Sequence, residues 1–439
     1  MPRVALLLCL LLLLVIGVSA EHSAALPAPS VTRAVLDNGL TIIVAEQHAA
    51  ELVTLNAWVK VGSRDETDEL NGAAHFVEHM LFKGTRRRKV GQIDREVEGL
   101  GGILNASTAF DFTQYYITAA SRFFDRILDL QADALMNSTF DPEEMERERR
   151  VVLEEIGLRD DTPASLASKV LYTTAYRVHP YRRPIGGTRE VLQRITRDQL
   201  FAFYRAQYGP QNVIIVVAGD VSTRETVAKV RRAYGSWRHP VATRPTAQPE
   251  PASSDVRRTE LDHDVRVAYL QLGWIGPGAR DREVYAIDVL LFVLGQGRSS
   301  RLTQRLQERQ RLVQNIGASF PTGLDPQLFQ VNAVVEPQDV ARAEQAILAE
   351  ITEIRESGIA ADELERAKTL LLASEAIGSH TSRGLASLLG YSTSVADLNF
   401  ALTYEEQIRR VSREDVQQAA RRYLDPRRYA VTVIRPRTR

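Results

Sequence analysis

Short apolar runs bounded by turn residues open the chain's first half. RAVLDNGLTIIVAE, Arg33 to Glu46, reads as two strands around an Asn38-Gly39 turn, and LVTLNAWVKVG, Leu52 to Gly62, continues as a third strand with partial alternation. Helical spacing takes over at Asn71–Phe82 and Gly91–Gly99, after which Ile103–Ala109 and Phe112–Ala119 return to strand, broken by Asp111. Three longer helical stretches follow at Arg122–Asn137, Pro142–Arg159 and Ala164–Ala175. The loop HPYRRPIGG, His179 to Gly187, precedes a helix over Arg197–Tyr208, a strand NVIIVVAG over Asn212–Gly219 and a helix ending at Tyr234.

The proline-rich segment Arg238 to Asp255, poor in apolar residues, reads as a linker. Beyond it the plan repeats without close residue-level similarity. A strand at Val265–Trp274 leads to helices over Arg282–Leu294 and Ser299–Gln310 and strands at Asn315–Phe320 and Leu328–Val335. Helices at Pro337–Ser357 and Asp362–Ala376, further helix and a last strand at Tyr429–Arg435 complete it. Strands and helices do not alternate strictly, so the predicted class is α+β: two domains of similar fold, each a mainly antiparallel sheet packed with helices. The expected division is a signal peptide over 1–20, an N-terminal domain over 21–237, a linker over 238–256 and a C-terminal domain over 257–439.

Charge adds an exclusion. Lys+Arg and Asp+Glu are 55 each, which leaves no electrostatic footprint for nucleic acid. At the N-terminus, Arg3 precedes the 15-residue apolar run Val4–Val18 and the small residues Ser19-Ala20. That run is shorter than the roughly 20 residues that span a bilayer, so it reads as a secretory signal cleaved after Ala20. Export follows, to a bacterial periplasm first and secretion second. The only cysteine, Cys9, lies inside that run, so a mature chain rests on its cores and has no transmembrane span.

The chemistry concentrates in NGAAHFVEHMLFKGT, Asn71 to Thr85. His75 and His79, four apart, share a helix face, and Glu78 stands beside the second. Two neutral imidazoles make a zinc-type donor set that needs a third protein ligand. Core histidines satisfied by protein partners are the bland alternative; three polar groups on one apolar helix weigh against it. The candidate third ligand lies on DPEEMERERRVVLEEIGLRD, Asp141 to Asp160, whose start is signalled by Asp141 as cap, Pro142 in the first turn and Glu143-Glu144 at the positive end. Glu148, Val151, Val152, Glu155 and Leu158 are expected on one partly apolar stripe, which favours Glu155 as ligand. Glu154 competes, but lies four residues after Arg150, where a surface ion pair would occupy it. His22, His48, His179, His239, His263 and His380 stand in isolated contexts and read as structural or solvated.

Taken together, GAAHFVEHMLFKGT, LGGILNASTAFDFTQYY, VVLEEIG, IIVVAGDV and LGQGRSSRLTQRL resemble the pitrilysin-type metallopeptidases, the inverzincins, and span nearly the whole chain after the leader. Glu155 lies 76 residues after His79, where that family places its distal zinc ligand, and Glu148 matches its accessory acidic position. The resemblance implies half of a clamshell, one Zn2+ per chain on His75, His79 and Glu155, and hydrolysis of peptides by water that Glu78 activates as general base. It implies an edge strand that receives extended substrate around Asn105, for which an amide ending a turn is the bland alternative. One departure stands out. Active members often carry an Arg and, seven residues later, a Tyr that hold the substrate carbonyl and oxyanion; here those positions read Gln307 and Gln314. The expected partner is therefore a peptidase-like subunit supplying an Arg/Tyr pair in a heterodimer, with a homodimer as second choice. The rival reading is a non-catalytic assembly or peptide-binding subunit.

Overall fold

A computed structural model describes residues 30–437. The expected leader over residues 1–20 lies outside them. No helix among the described residues is long and apolar enough to cross a membrane.

The first half contains β1 (Val31–Val35), β2 (Thr41–Glu46), β3 (Leu52–Val59), α1 (Ala73–Leu81), α2 (Gln92–Gly99), β4 (Ile103–Thr108) and β5 (Thr113–Ala120). Four helices follow, α3 (Phe124–Asn137), α4 (Pro142–Asp161), α5 (Pro163–Ala175) and the single turn α6 (Arg189–Leu192), then α7 (Arg197–Gln207), β6 (Val213–Gly219) and α8 (Thr223–Tyr234). The six strands order as β1-β2-β6-β3-β5-β4, antiparallel except for the parallel β2/β6 pair. Among the described residues β4 pairs only with β5, which leaves its other edge open.

In the second half, β7 (Arg257–His263), β8 (Ala268–Ile275), α9 (Val284–Leu294), β9 (Asn315–Ser319) and β10 (Leu328–Val335) precede α10 (Val340–Ser357), α11 (Ala361–Gly378), α12 (Ser382–Val395), α13 (Leu398–Arg410), α14 (Arg413–Tyr423) and β11 (Ala430–Pro436). Their sheet runs β7-β11-β8-β10-β9, again with one parallel pair, β11/β7. The α+β expectation holds, with one parallel pair in each otherwise antiparallel sheet. β7 is an addition to the predicted strands: RRTELDH is an edge strand whose positions are mostly exposed, so it has too few apolar residues to reveal itself. The predicted helix over Ser299–Gln310 winds instead as a π-helix over Thr303–Arg309, with Gln310 N–H donating to the Arg305 carbonyl at 3.0 Å.

The two halves exchange helices. Every position of β6 is buried, an unbroken apolar run that requires cover on both sheet faces. One face carries the main N-terminal core; the other, through Ile43, Trp58, Ile214 and Val216, packs against Leu385, Ala386 and Leu389 of α12 from the second half. Reciprocally, Leu171, Tyr172 and Ala175 of α5 pack with Leu328 and Ala430 of the second sheet. Residues 237–253 have no helix or strand, but they are anchored. Arg244 pairs with Asp65 at 2.8 Å, and the Glu250 carboxylate accepts from the N–H groups of Arg177, Val178 and His179 at 2.9, 2.8 and 3.0 Å. Arg64, buried, reaches Asp325 of the second half at 2.7 Å, and Asp325 also meets His179 at 3.0 Å. These contacts fix the frame that carries the site.

Candidate metal centre

Helix α1 starts at Gly72, whose φ of 99° is a left-handed conformation that suits glycine. A side chain there would sit 2.9 Å from the Gly186 carbonyl, and one at Gly187 would sit 2.6 Å from Gly72 Cα. The His179–Gly187 loop and the start of α1 therefore touch backbone to backbone. The N–H groups of the first turn, which have no partner within the helix, are satisfied by a buried carboxylate: Glu66 accepts from Gly72 N at 2.8 Å, Ala74 N at 2.7 Å and Asn71 Nδ2 at 2.8 Å. Burial pushes the Glu66 pKa up to about 8, against the pull of the Ala74 and Gly72 N–H groups.

Helix α4 begins as expected, with Asp141 accepting from Glu143 N at 2.9 Å and Glu144 N at 3.1 Å and Pro142 in the first turn. Its buried stripe differs from the expected one. Met145, Glu148, Val152 and Ile156 face inward, whereas Val151 is 42% and Leu158 62% exposed. Two apolar series share Val152, and core packing selects the one that continues through Met145 and Ile156. Glu155 sits at the border of that stripe with 37% of its side chain exposed, while Glu154 faces solvent. Among the described residues Arg150 and Glu154 form no ion pair.

One ligand atom each from His75, His79 and Glu155 lies within 4.8 Å of the others, the single such grouping of metal-binding side chains among the described residues. Glu155 Oε2 is 3.6 Å from His75 Nε2 and 3.7 Å from His79 Nε2. Those separations are too long for hydrogen bonds, and close to the spacing of about 3.3 Å that two donors keep on one tetrahedral ion with bonds of about 2.0–2.1 Å. The rings are edge-on, with centroids 4.8 Å apart, and both Nε2 atoms face the same Glu155 oxygen. Burial lowers the His75 pKa to about 3, with His79 and Arg159 adding to the effect, so this imidazole is neutral and its lone pair free at ordinary pH. The donor set of two imidazoles and a carboxylate suits zinc.

His79 is held from behind. Burial disfavours its cation, but a hydrogen bond of 3.1 Å from Nδ1 to Glu148 Oε2, with the charges of Glu155 and Glu78, raises its pKa overall. Burial also opposes the Glu148 anion, yet its bonds to His79 and to Lys83 Nζ at 2.7 Å lower its pKa. Glu148 thus fixes the tautomer that points Nε2 at Glu155, the carboxylate–imidazole arrangement common behind metal ligands. Glu148→Gln is expected to weaken zinc binding about 10–100-fold without unfolding the chain, read by competition with a fluorescent chelator.

Glu78 is half-buried, which raises its pKa, and its Oε2 accepts from Thr108 Oγ1 at 2.5 Å, which lowers it again in part. Thr108 ends the open-edged strand β4, so the carboxylate is tied to that strand. Asn105 lies on β4 too, exposed on the opposite strand face from Thr108, with its Oδ1 accepting from Ala106 N at 2.8 Å. The structure therefore does not bring the Asn105 side chain to the histidines. Gln307 and Gln314 lie side by side, Gln307 Nε2 donating to the Gln314 carbonyl at 3.2 Å and Gln314 Nε2 to Glu336 at 2.9 Å. Glu66, Thr108 and Lys83 carry no sequence signal that sets them apart, and only the fold reveals their part in the site.

The family model for insulinase (peptidase family M16) matches residues 41–189, and that for the peptidase M16 inactive domain matches residues 194–371. A protein of Mycobacterium leprae named as an uncharacterized zinc protease is 33% identical over 427 residues, 95% of this chain and 94% of that one. The probable beta subunit of the Arabidopsis thaliana mitochondrial-processing peptidase is 32% identical over 348 residues, 76% of this chain and 65% of that one. The crystal structure of a Helicobacter pylori protease superposes with a TM-score of 0.89 at 27% identity, covering 93% of this chain and all of that one. With both family models matched in order and a relative 33% identical over 95% of the chain, the chain belongs to the insulinase family, peptidase family M16.

Proposed function

We propose that this chain is a zinc-dependent endopeptidase that cleaves peptides or unfolded polypeptide segments, with one zinc on His75, His79 and Glu155. The observation that supports it most is the convergence of those three donors beside Glu78 and an open strand edge. Zinc bound there supplies a Lewis acid that acidifies water and polarises a carbonyl. Glu78, its anion destabilised by burial and one oxygen held by Thr108, takes the proton of the attacking water and returns it to the leaving amine. A substrate added as a strand to β4 gains main-chain hydrogen bonds, with Asn105 at its border.

Neither Gln307 nor Gln314 supplies a guanidinium or phenol for the oxyanion, which favours a heterodimer with a peptidase-like subunit that does. The same two residues, in the stretch matched by the inactive-domain model, favour the second reading, a non-catalytic assembly or peptide-binding subunit. The proposed location is the bacterial periplasm, after removal of residues 1–20. One experiment separates the readings: zinc content and cleavage of a quenched-fluorescent peptide library, alone and with a copurified partner. About one zinc per chain and chelator-sensitive cleavage are expected. A chain that holds zinc and cleaves nothing with its partner present rejects the peptidase reading.

A further inference from the structure

A cavity of about 300 Å³ lies beside the candidate metal centre, between α4, α5 and the His179–Gly187 loop. Gly186 marks the shared wall: a Cβ built there would lie 4.0 Å from His75 Nδ1 and 3.5 Å from both Arg159 Nη1 and Ile156 Cγ1. Arg159, which lines the cavity, lies 3.9 Å from Glu155 through Nη2, so the cavity adjoins the candidate metal centre. Phe110, Ile156, Tyr172 and Ile185 make the walls apolar, with the Phe110 and Tyr172 rings 4.8 Å apart.

The lining carries three cations, Arg159, Lys169 and Arg183, against one carboxylate, Asp160. Lys169 Nζ reaches Asp160 at 2.6 Å. Arg183 Nε reaches Asp68 at 2.7 Å, but Asp68 also takes Arg182 at 2.6 Å, so one carboxylate serves two guanidiniums. Arg159 Nη2 is 3.9 Å from Glu155, whose charge the metal would claim. The cavity is left with cationic surplus beside its apolar walls. A side chain with a methylene stem and a terminal carboxylate matches both features, whereas a basic one meets repulsion in a partly desolvated space.

We propose that this cavity is a side-chain subsite selecting an acidic residue, glutamate above all, next to the peptide bond presented to the metal centre; the assignment rests on the peptidase reading.

Binding without turnover tests it. Zinc-loaded Glu78→Gln protein is titrated, by fluorescence anisotropy, with decapeptides blocked at both ends that carry Glu, Gln or Lys at each position in turn. Blocking removes terminal carboxylates, so only the side chain supplies the anion. At one position Glu is expected to bind about tenfold tighter than Gln, with the difference fading as salt is raised. Lys169→Gln and Arg183→Gln are each expected to shrink that ratio, and Lys169→Glu to turn it toward Lys. Zinc content and circular dichroism matching the parent qualify each variant, and Lys169→Gln decides if the charge reversal misfolds. Equal binding of Glu and Gln at every position, or a preference untouched by the substitutions, overturns the subsite. Wild-type protein that cleaves none of these peptides with its copurified partner present would instead reject the peptidase reading, and the Glu/Gln ratio would still decide the subsite.

Discussion

Glu78→Gln is expected to bind zinc as tightly as the wild type and to cleave peptides about 10²–10⁴-fold more slowly. The substitution keeps size and shape, and the oxygen of the new amide can still accept from Thr108 Oγ1, which lies 2.5 Å from Glu78 Oε2 in the wild type. None of the three proposed zinc ligands is altered, nor is the Glu148–His79 bond that orients one of them. What is lost is proton acceptance, since an amide cannot take a proton from water near neutral pH. Pairing metal content with rate separates two causes. A variant that retains zinc and loses rate assigns Glu78 to proton transfer. One that retains both removes Glu78 from the chemistry, and one that loses zinc shows that the side chain supports the metal centre instead. His79→Ala is the reference for the last case, because it deletes a donor outright.

The parts of this site that are readable in the sequence are those with local spacing. His75 and His79 are one helical turn apart, and Asp141, Pro142 and the following glutamates announce α4 within four residues. The expected stripe on α4 is wrong because the apolar positions allow two series through Val152, and only packing against the core chooses Met145 and Ile156 over Val151 and Leu158. Thr108 is invisible for another reason: it meets Glu78 across 30 residues where the end of β4 approaches α1, and a threonine at a strand end has no distinguishing pattern. The same holds for the fold. Alternating strands and the Asn38-Gly39 turn are legible, whereas the unbroken run of β6 shows that both faces are covered but not that α12, far along the chain, covers one of them. β7 has no apolar pattern at all, and its pairing with β11 depends on a strand at the far end of the chain.

Glu66→Ala is expected to cost about 3–5 kcal/mol and to weaken zinc binding with it, because three buried donors lose their acceptor at about 1–3 kcal/mol each. Those donors are Asn71 Nδ2, Gly72 N and Ala74 N, and the residue after Ala74 is the first proposed ligand, His75. A first turn released from its cap lets that imidazole drift, so chelator competition should report a loss alongside urea unfolding. Glu66→Gln is expected to cost less, since its oxygen keeps part of the set while its amide faces the remaining N–H groups. The pH dependence then reads out the protonation state. Burial sets the folded pKa of Glu66 at about 8 against an ordinary 4.5, so the folded chain binds this proton more tightly than the unfolded chain. The resulting stability is present in full below the ordinary value and is lost as pH rises toward the folded one. Between about pH 5 and about pH 8 the stability advantage of metal-free wild type over Glu66→Gln should therefore shrink. A gap that stays constant over this range would mean that the helix N-terminus and three N–H donors overcome burial and hold Glu66 as an anion throughout, in which case the cap keeps its full strength at the pH where the proposed zinc site needs its histidines unprotonated.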